Sequence, residues 1–386
     1  MGGKKILENI ETFITGVRDH NIITMCVIYL LAGAYTAVLK GIGGVDATVF
    51  FSLDLIPAEL TVPGIFIIAA LVSTAMGTSM GTVAAVCPVA VGMAQTTGID
   101  TSVMVGAVVG GAMFGDNLSM ISDTTIAATQ IHPCSLKDKF IMNGKIALPA
   151  FVLTIITLLF FIDGGGSQDY IIPDYNVWLG LPYFAVLVLA LMGMNVFLVL
   201  TLGIFLAALT GFVMVDGFTV VNLSEFMFEG YNSMTEILIL SLLIGGLSHL
   251  AKAQKGFDFI ISLTDRSVKK FATHARGSRV AEGAIAILAS LCDVFTANNV
   301  VAIILSGEAT QEIADRYKIT KLRAAVLVDM FASVFQGILP YSAQILLAGS
   351  IAGLSPLAII FNVHYCFYLG FAGVLAICLR WPRERV

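Results

Sequence analysis

Long uncharged apolar runs, several of them interrupted by short polar segments, dominate the hydropathy pattern of this chain. A run of about 18 apolar residues lets an α-helix cross the hydrocarbon core of a bilayer. A transmembrane β-barrel would alternate apolar and polar residues over about ten positions, so the continuous runs predict helices. The predicted membrane segments are Ile22–Leu39, Pro63–Gln95, Ser102–Gln130, Phe140–Ile162, Val177–Leu191, Val196–Val215, Ile237–Leu250, Val280–Leu305, Leu322–Ile351 and Ala358–Leu379.

Polar breaks divide four of these segments. They lie at Gly77–Thr82, within the run Gly115–Thr125, at Thr296–Asn299 and at Gly337–Gln344. Irregular backbone at membrane depth is tolerated only where it is buried in protein or lines a cavity. We therefore expect discontinuous helices that expose their broken ends to an internal site.

Composition narrows the class of protein. The 386 residues are 58% hydrophobic and 12% charged, against about 25% charged residues in soluble domains. This predicts an all-α polytopic membrane protein in contact with the lipid bilayer. The six cysteines form no CxxC pair and are interpreted as buried apolar residues. We find no basic-aromatic surface for nucleic acid, no signal peptide, no phosphate-binding loop and no hydrolase motif, so no enzymatic activity and no cofactor is expected.

Charged residues between the segments predict the topology, because cytoplasmic loops are rich in Lys and Arg. With the exception of Lys40, the charges alternate consistently only if Pro63–Gln95 and Val280–Leu305 are re-entrant hairpins. About eight crossings then remain, with both termini cytoplasmic in the plasma membrane. The basic loops carry Lys4, Lys5, Arg18, Lys137, Lys139, Lys145, Lys252, Lys255, Arg266, Lys269, Lys270, Arg276, Arg279, Arg316, Lys318, Lys321, Arg323, Arg380, Arg383 and Arg385. The acidic loops carry Asp46, Asp54, Glu59, Asp163, Asp169, Asp174, Asp216, Glu225 and Glu229.

The order of segments repeats along the chain. A crossing, a hairpin, a broken crossing and a closing crossing occur in residues 1–165 and again in 233–386, joined by a helix pair in 166–232. The two hairpins enter from opposite sides, so the repeats are predicted to be inverted. Inverted repeats whose discontinuous helices meet near the bilayer midplane are typical of secondary transporters.

The strongest candidate site is the run Gly115–Thr125, in which eight of eleven residues are glycine or carry a side-chain oxygen. A carboxylate inside the membrane is costly and marks a functional site by default, and oxygen ligands suit hard cations. At each broken segment, polar side chains supply further oxygens. The predicted cation ligands are Asp116, Asn117, Ser122, Asp123, Thr124, Thr78, Ser79, Asn298, Asn299 and Ser342.

Four aspartates are candidates for proton coupling. Asp123 is the first choice and Asp116 the second, followed by Asp293 and Asp329. The simpler explanation for Asp116 and Asp123 is a helix-breaking polar turn near an interface, satisfied by its own backbone. For Asp293 it is a helix cap, and for Asp329 a polar residue paired to Ser or Asn. The second repeat has Ala343 where the first has Asp123, so the acidic chemistry is expected mainly in the first half.

At these residues the chain resembles the NhaC-type Na+/H+ antiporter family of the ion-transporter superfamily. The matching motifs are Gly77–Thr82, Phe114–Thr125 and Thr296–Asn299. The resemblance implies a secondary transporter of Na+ and H+, often a homodimer, with elevator-like movement of the domain that holds the paired hairpins. The resemblance also implies leading helices before residue 22, which the hydropathy pattern does not predict here. The expectation is either a longer parent protein with two more helices or a naturally short chain.

Three functions fit these patterns. The first is Na+/H+ exchange at the membrane-embedded aspartates. The second is Na+-coupled transport of a small organic solute, an amino acid or a carboxylate. No Arg or Lys is expected to be buried within the crossings, which disfavours an organic anion but not a zwitterion held on half-helix N-termini. The third is a channel or membrane scaffold without coupled transport.

Overall fold

The computed structural model describes residues 2–55, 60–160, 174–254 and 277–382. All regular structure in these residues is helical, which confirms the all-α prediction. Helical segments long and apolar enough to cross a membrane are His20–Gly41, Ser79–Thr97, Leu136–Phe160, Val196–Met214, Val220–Ala253 and the broken segment Thr101–Ile131. The chain is therefore a multi-pass membrane protein, whereas the count of eight crossings stays a prediction. Ten loop charges used for the topology lie outside the described residues: Glu59, Asp163, Asp169, Lys255, Arg266, Lys269, Lys270, Arg276, Arg383 and Arg385.

The first half contains eight helices. These are α1 Gly2–Val17, α2 His20–Gly41, α3 Gly44–Leu55, α4 Thr61–Met76, α5 Ser79–Thr97, α6 Thr101–Leu118, α7 Asp123–Ile131 and α8 Leu136–Phe160. The helix α3 replaces what the pattern predicts as an acidic loop. The Pro63–Gln95 segment divides into α4 and α5, and the Ser102–Gln130 segment into α6 and α7.

The remaining helices follow a short 3-10 turn, Val177–Gly180. They are α9 Leu181–Leu191, α10 Val196–Met214, α11 Val220–Ala253, α12 Gly277–Thr296, α13 Asn299–Tyr317, α14 Lys321–Gln336, α15 Ala343–Ala352, α16 Pro356–Ile360 and α17 His364–Leu379. The Val280–Leu305 segment divides into α12 and α13, and the Leu322–Ile351 segment into α14 and α15. Ala358–Leu379 is predicted to be continuous, but it divides into α16 and α17.

The two hairpin tips share one backbone conformation. Gly77 and Ala297 have positive φ angles of 70° and 51°, and each donates its N–H to the carbonyl four residues earlier. The next residues, Thr78 and Asn298, are extended, at φ −150°, ψ 123° and φ −149°, ψ 109°. A left-handed residue ends a helix readily. The tips therefore define equivalent positions in the two halves.

The broken helices are also equivalent where they resume. Ser122 precedes α7 at φ −66°, ψ 140°, and Ser342 precedes α15 at φ −71°, ψ 150°. Counting six residues back from each serine pairs Asp116 with Gln336. This correspondence is used below to compare the two halves.

Close backbone contacts bring these elements together. Gly33 of α2 faces Gly230 of α11 so closely that a Cβ on Gly33 would lie 2.3 Å from the Gly230 carbonyl oxygen. A Cβ on Gly111 of α6 would lie 2.3 Å from the Phe66 carbonyl oxygen of α4. Small residues allow such approach between membrane helices. The packing also crosses between the halves, because α5 contacts α15 and α7 contacts α13.

Candidate functional site

A central cavity of about 100 Å³ lies where all four broken segments meet, against the start of α2. Its wall contains side chains from both hairpin tips and from both broken helices. Its lining residues are Asn21, Thr24, Met25, Ile28, Gly77, Thr78, Ser79, Met80, Asp116, Ser122, Asp123, Thr124, Asn298, Asn299, Val300, Gln336 and Gln344. The topology predicts this convergence only for the hairpins and broken helices; the contribution of α2 is new.

Asp116 is the buried carboxylate of this cavity, with 5% of its surface exposed. Ser79 donates a hydrogen bond to one carboxylate oxygen at 2.7 Å, and Ser122 donates to the other at 2.5 Å. The Ser122 hydroxyl also lies 2.9 Å from that of Thr124. A carboxylate that accepts on both oxygens is arranged as an ionised group, because an acid would use one oxygen as a donor.

A chain of hydrogen bonds continues from Asp116 into the second half. The Gln344 amide donates to Ser79 at 3.0 Å, and the Gln336 amide donates to Gln344 at 2.7 Å. Gln336 also donates to the backbone carbonyl of Ala297 at 3.2 Å, in the second hairpin tip. Polar side chains thereby join all four breaks into one connected network.

The structure brings most of the predicted ligands to the cavity. Its wall includes Asp116, Ser122, Asp123, Thr124, Thr78, Ser79, Asn298 and Asn299. Asp123 is exposed at the first residue of α7, where a negative charge also favours the helix N-terminus. Asn298 has a capping role, because it accepts a hydrogen bond from the Val301 N–H at 3.0 Å.

Four predicted residues lie outside the cavity wall. Asn117 accepts two hydrogen bonds from Asn143 of α8, one at its carbonyl and one at its side chain, at 2.7 and 2.8 Å. Ser342 and Asp293 are fully buried, with no hydrogen-bond partner for the Ser342 hydroxyl or for either Asp293 oxygen among the described residues. Asp329 is fully buried too and forms an ion pair, described next.

Two buried ion pairs correct the expectation that no Arg or Lys lies inside the bundle. Lys139 is 1% exposed and pairs with Asp329, while also donating to Thr125. Arg323 is 6% exposed and donates two bonds to Glu282, at 3.0 and 3.1 Å. Both cations were assigned to cytoplasmic loops because they flank apolar runs. A partner far along the chain offsets the cost of burying each charge.

These pairs sort the buried acids into two classes. The buried carboxylates of the described chain are Asp116, Glu282, Asp293 and Asp329. Glu282 and Asp329 each pair with a buried cation. Asp116 and Asp293 have no such cation in the described structure, which leaves them as the buried acids available for exchange.

Several cavity residues were missed or undervalued by the sequence patterns. Gln336 and Gln344 flank the break between α14 and α15 and are not among the predicted cation ligands. Asn21 and Thr24 are three residues apart on α2 and so share a helix face. Two polar residues at this spacing near the start of an apolar helix are the sequence feature from which Asn21 and Thr24 could have been predicted to line the site.

Comparison with known proteins shows that the sequence of this chain is similar to those of antiporters. The family described as "Na+/H+ antiporter family" matches residues 11–165. The malate-2H+/Na+-lactate antiporter of Bacillus subtilis is 24% identical over 338 residues, 81% of this chain and 72% of that protein. The Na+/H+ antiporter NhaC of Alkalihalophilus pseudofirmus is 35% identical over 34% of this chain and 29% of that protein. NhaC of Bacillus subtilis is 29% identical over 47% of this chain and 42% of that protein.

These matches confirm the predicted resemblance to NhaC-type antiporters. They also support a transporter rather than an enzyme, because each of these relatives is an antiporter.

Proposed function

The chain is a relative of the NhaC-type Na+/H+ antiporters, and from that premise we propose that it exchanges Na+ for H+ at Asp116. One observation carries the proposal. Asp116 is a buried carboxylate with no basic partner among the residues that the structure describes, in the wall of a cavity where four helix breaks meet. Na+ and H+ compete for such a group, because each neutralises the same charge.

The surroundings of Asp116 suit both occupants. Hydroxyl and amide oxygens of Ser122, Thr124 and Asn299 lie in the same cavity wall and can complete the shell of a hard cation. When the ion leaves, the hydroxyls of Ser79 and Ser122 stabilise the bare carboxylate by donating to it. Protonation of Asp116 removes the negative charge that holds the cation, which couples the two fluxes.

Asp123 has a different role in this proposal. Its side chain is exposed, yet it lines the same cavity. A negative charge at the mouth of a narrow site raises the local concentration of cations. The geometry thus favours Asp116 over Asp123 as the exchanging group, the reverse of the order expected from the sequence.

Matched variants of the two aspartates test this assignment. Protein reconstituted in liposomes is given a Na+ gradient, and proton movement is followed with an internal pH dye. Asp116→Asn loses exchange by about a hundredfold or more, because about 3 kcal/mol is lost with a charged ligand. Asp123→Asn retains exchange with a weaker apparent Na+ affinity. Full exchange in Asp116→Asn would show that the site lies elsewhere.

The topology and assembly form a further part of the proposal. The shared conformation of the two tips supports two re-entrant hairpins in inverted repeats over 1–165 and 233–386, joined by 166–232. Elevator-like movement, a homodimer and cytoplasmic termini rest on the family resemblance. Accessibility of cysteines introduced at each terminus in oriented vesicles checks the orientation.

An alternative is Na+-coupled transport of a small organic acid. The malate-2H+/Na+-lactate antiporter covers more of this chain than the NhaC relatives do. Against it, Lys139 and Arg323 already have carboxylate partners, and neither lines the cavity. The cavity of about 100 Å³ is also well below the roughly 300–1,000 Å³ typical of organic ligand sites. Thermal unfolding with Na+, Li+, malate and lactate separates the two: stabilisation by malate or lactate only with Na+ favours the alternative.

A further inference from the structure

Asp293 lies in the last turns of α12, four residues before the hairpin tip at Ala297. Its side chain is 0% exposed, and neither carboxylate oxygen has a hydrogen-bond partner in the described structure. An isolated ionised carboxylate in a dry protein interior is strongly disfavoured, and more so at membrane depth. The geometry therefore fits the neutral acid and not the carboxylate.

The first half shows what belongs at this position. Ser73 lies four residues before Gly77, and its carbonyl accepts the Gly77 N–H at 2.8 Å, as the Asp293 carbonyl accepts the Ala297 N–H at 2.7 Å. The Ser73 hydroxyl donates to the Ala112 carbonyl of α6 at 2.6 Å. In the first half, this position thus holds a hydrogen-bond donor. A carboxylic acid can donate one hydrogen bond, whereas a carboxylate can donate none.

The helices around Asp293 do not supply a cation. Helix α12 packs against α11, α13, α14 and α17. The ionisable groups that interact electrostatically with Asp293 are its neighbour Cys292 and Tyr341, which lies between α14 and α15. The Tyr341 hydroxyl donates to the Val294 carbonyl at 2.6 Å. None of the described groups on the packed helices bonds to the Asp293 oxygens; these groups include His249, Lys252, Glu308, Glu312, Arg323, Asp329 and His364.

We propose that Asp293 is a second proton-binding site, loaded in this conformation and distinct from the Na+ site at Asp116. Its O–H bond breaks when the hairpin tip meets water on one side of the membrane, and the proton passes to that water. The carboxylate takes up a proton from water on the other side. The inference rests on the proposed exchange at Asp116. It adds a site in the second half, Asp293, that binds a proton but does not bind Na+.

Infrared spectroscopy of the whole reconstituted protein tests the protonation directly. A neutral buried acid gives a carboxylic C=O band that shifts in deuterated water. We expect this band at neutral pH in the unaltered protein and in Asp116→Asn. We expect its loss in Asp293→Ser, which restores the residue of the first half, and in Asp293→Asn, which keeps a donor of the same shape. A missing band in the unaltered protein, or an unchanged band in both Asp293 variants, would overturn the proposal.

Flux measurements then test the role in coupling. Protons and radioactive Na+ are counted in the same liposomes, and Na+/Na+ exchange is measured without a pH gradient. Both Asp293 variants retain Na+/Na+ exchange and move roughly half as many protons per Na+ as the unaltered protein. An unchanged ratio in a folded Asp293 variant refutes the second site. Asp116→Asn is expected to lose Na+/Na+ exchange. If this variant keeps the exchange, the proposed function is rejected, whereas the infrared result on Asp293 still stands.

Discussion

The two hairpin tips have the same backbone conformation, but the buried acids of the two halves differ in their hydrogen-bond partners. In the first half, Asp116 accepts a hydroxyl at each oxygen. In the second half, both oxygens of Asp293 and the hydroxyls of Ser333 and Ser342 lack partners among the described residues. Gln336 occupies the position of Asp116. The duplicated framework therefore gives one acid a hydroxyl donor at each oxygen and leaves the other acid without a partner among the described residues.

This difference indicates that the backbone conformation and the hydrogen bonding of the buried acids are specified separately. The breaks depend on backbone conformations that Gly77 and Ala297 both adopt. The charge state depends on a few neighbouring hydroxyls and amides, which differ between the halves. Four changes to the chain test this separation, beginning with the largest expected effect.

Removing the cation beside Asp329 would turn a paired acid into an unpaired one. Lys139→Met leaves Asp329 buried without its partner and lowers the free energy of unfolding by about 3–5 kcal/mol. The double variant Lys139→Met with Asp329→Leu recovers most of that loss. Chemical unfolding in detergent measures both. A negligible loss in the single variant would mean that unpaired acids are tolerated generally, so that Asp293 is not exceptional.

Exchanging the residues at the two tips tests their backbone equivalence. In Gly77→Ala the new Cβ would lie 2.8 Å from Ile121 Cγ1 at a positive φ, so stability falls by about 2 kcal/mol. Ala297→Gly relieves a left-handed conformation at some entropic cost and changes stability by about 1 kcal/mol or less. Thermal unfolding compares them. Equal losses in both variants would contradict the equivalence.

Gln344 connects the hydrogen bonds around Asp116 in the first half to those of Gln336 in the second half. Removing its amide should break this connection. Gln344→Leu removes the donor to Ser79 and the acceptor for Gln336. Stability falls by about 1–2 kcal/mol, and the apparent Na+ affinity weakens because Ser79 loses its orientation. The exposed Gln130→Leu on α7 is the matched control and leaves Na+ affinity unchanged. If Gln344→Leu and Gln130→Leu have the same apparent Na+ affinity, the hydrogen-bond network does not contribute to Na+ binding.

A pair of tyrosines gives the smallest effects. Tyr341→Phe removes the bond to Val294 beside Asp293, at a cost of about 1 kcal/mol, and slows proton release.

Tyr175→Phe removes a bond to Asp54 at 2.7 Å outside the membrane segments and leaves exchange unaltered at neutral pH. The bond to Asp54 raises the pKa of Tyr175. The contribution of this bond to stability is therefore present below pH about 10 and lost above the raised pKa. We expect slower exchange in Tyr341→Phe and not in Tyr175→Phe. Slower exchange in Tyr175→Phe alone would contradict this expectation.

The sequence predicts the breaks well because each has a local cause. Gly77, Asn298 and Ser342 interrupt apolar runs with residues that end or begin helices. Asp116 was found for the same reason, as a charge inside an uncharged run. The continuous segment Ala358–Leu379 was wrong because no charge or glycine marks the break before His364.

Burial and pairing could not be predicted in the same way. Lys139 lies near the end of an apolar run and is indistinguishable in sequence from a loop lysine. Its burial depends on Asp329, 190 residues away. Which of Asp116 and Asp123 is the better candidate for proton exchange likewise depends on which end of the break faces the bundle interior. The sequence does not show which end this is.

The two buried ion pairs also have an electrical consequence. Because Lys139 and Arg323 neutralise Asp329 and Glu282, the membrane voltage acts within the described core mainly on the occupants of Asp116 and Asp293. A cycle that returns protons on both acids against a single Na+ moves net positive charge, and each such charge is worth about 2.3 kcal/mol per 100 mV. Resting potentials would then drive Na+ extrusion even without a pH gradient, and Asp293→Asn would make the exchange insensitive to voltage.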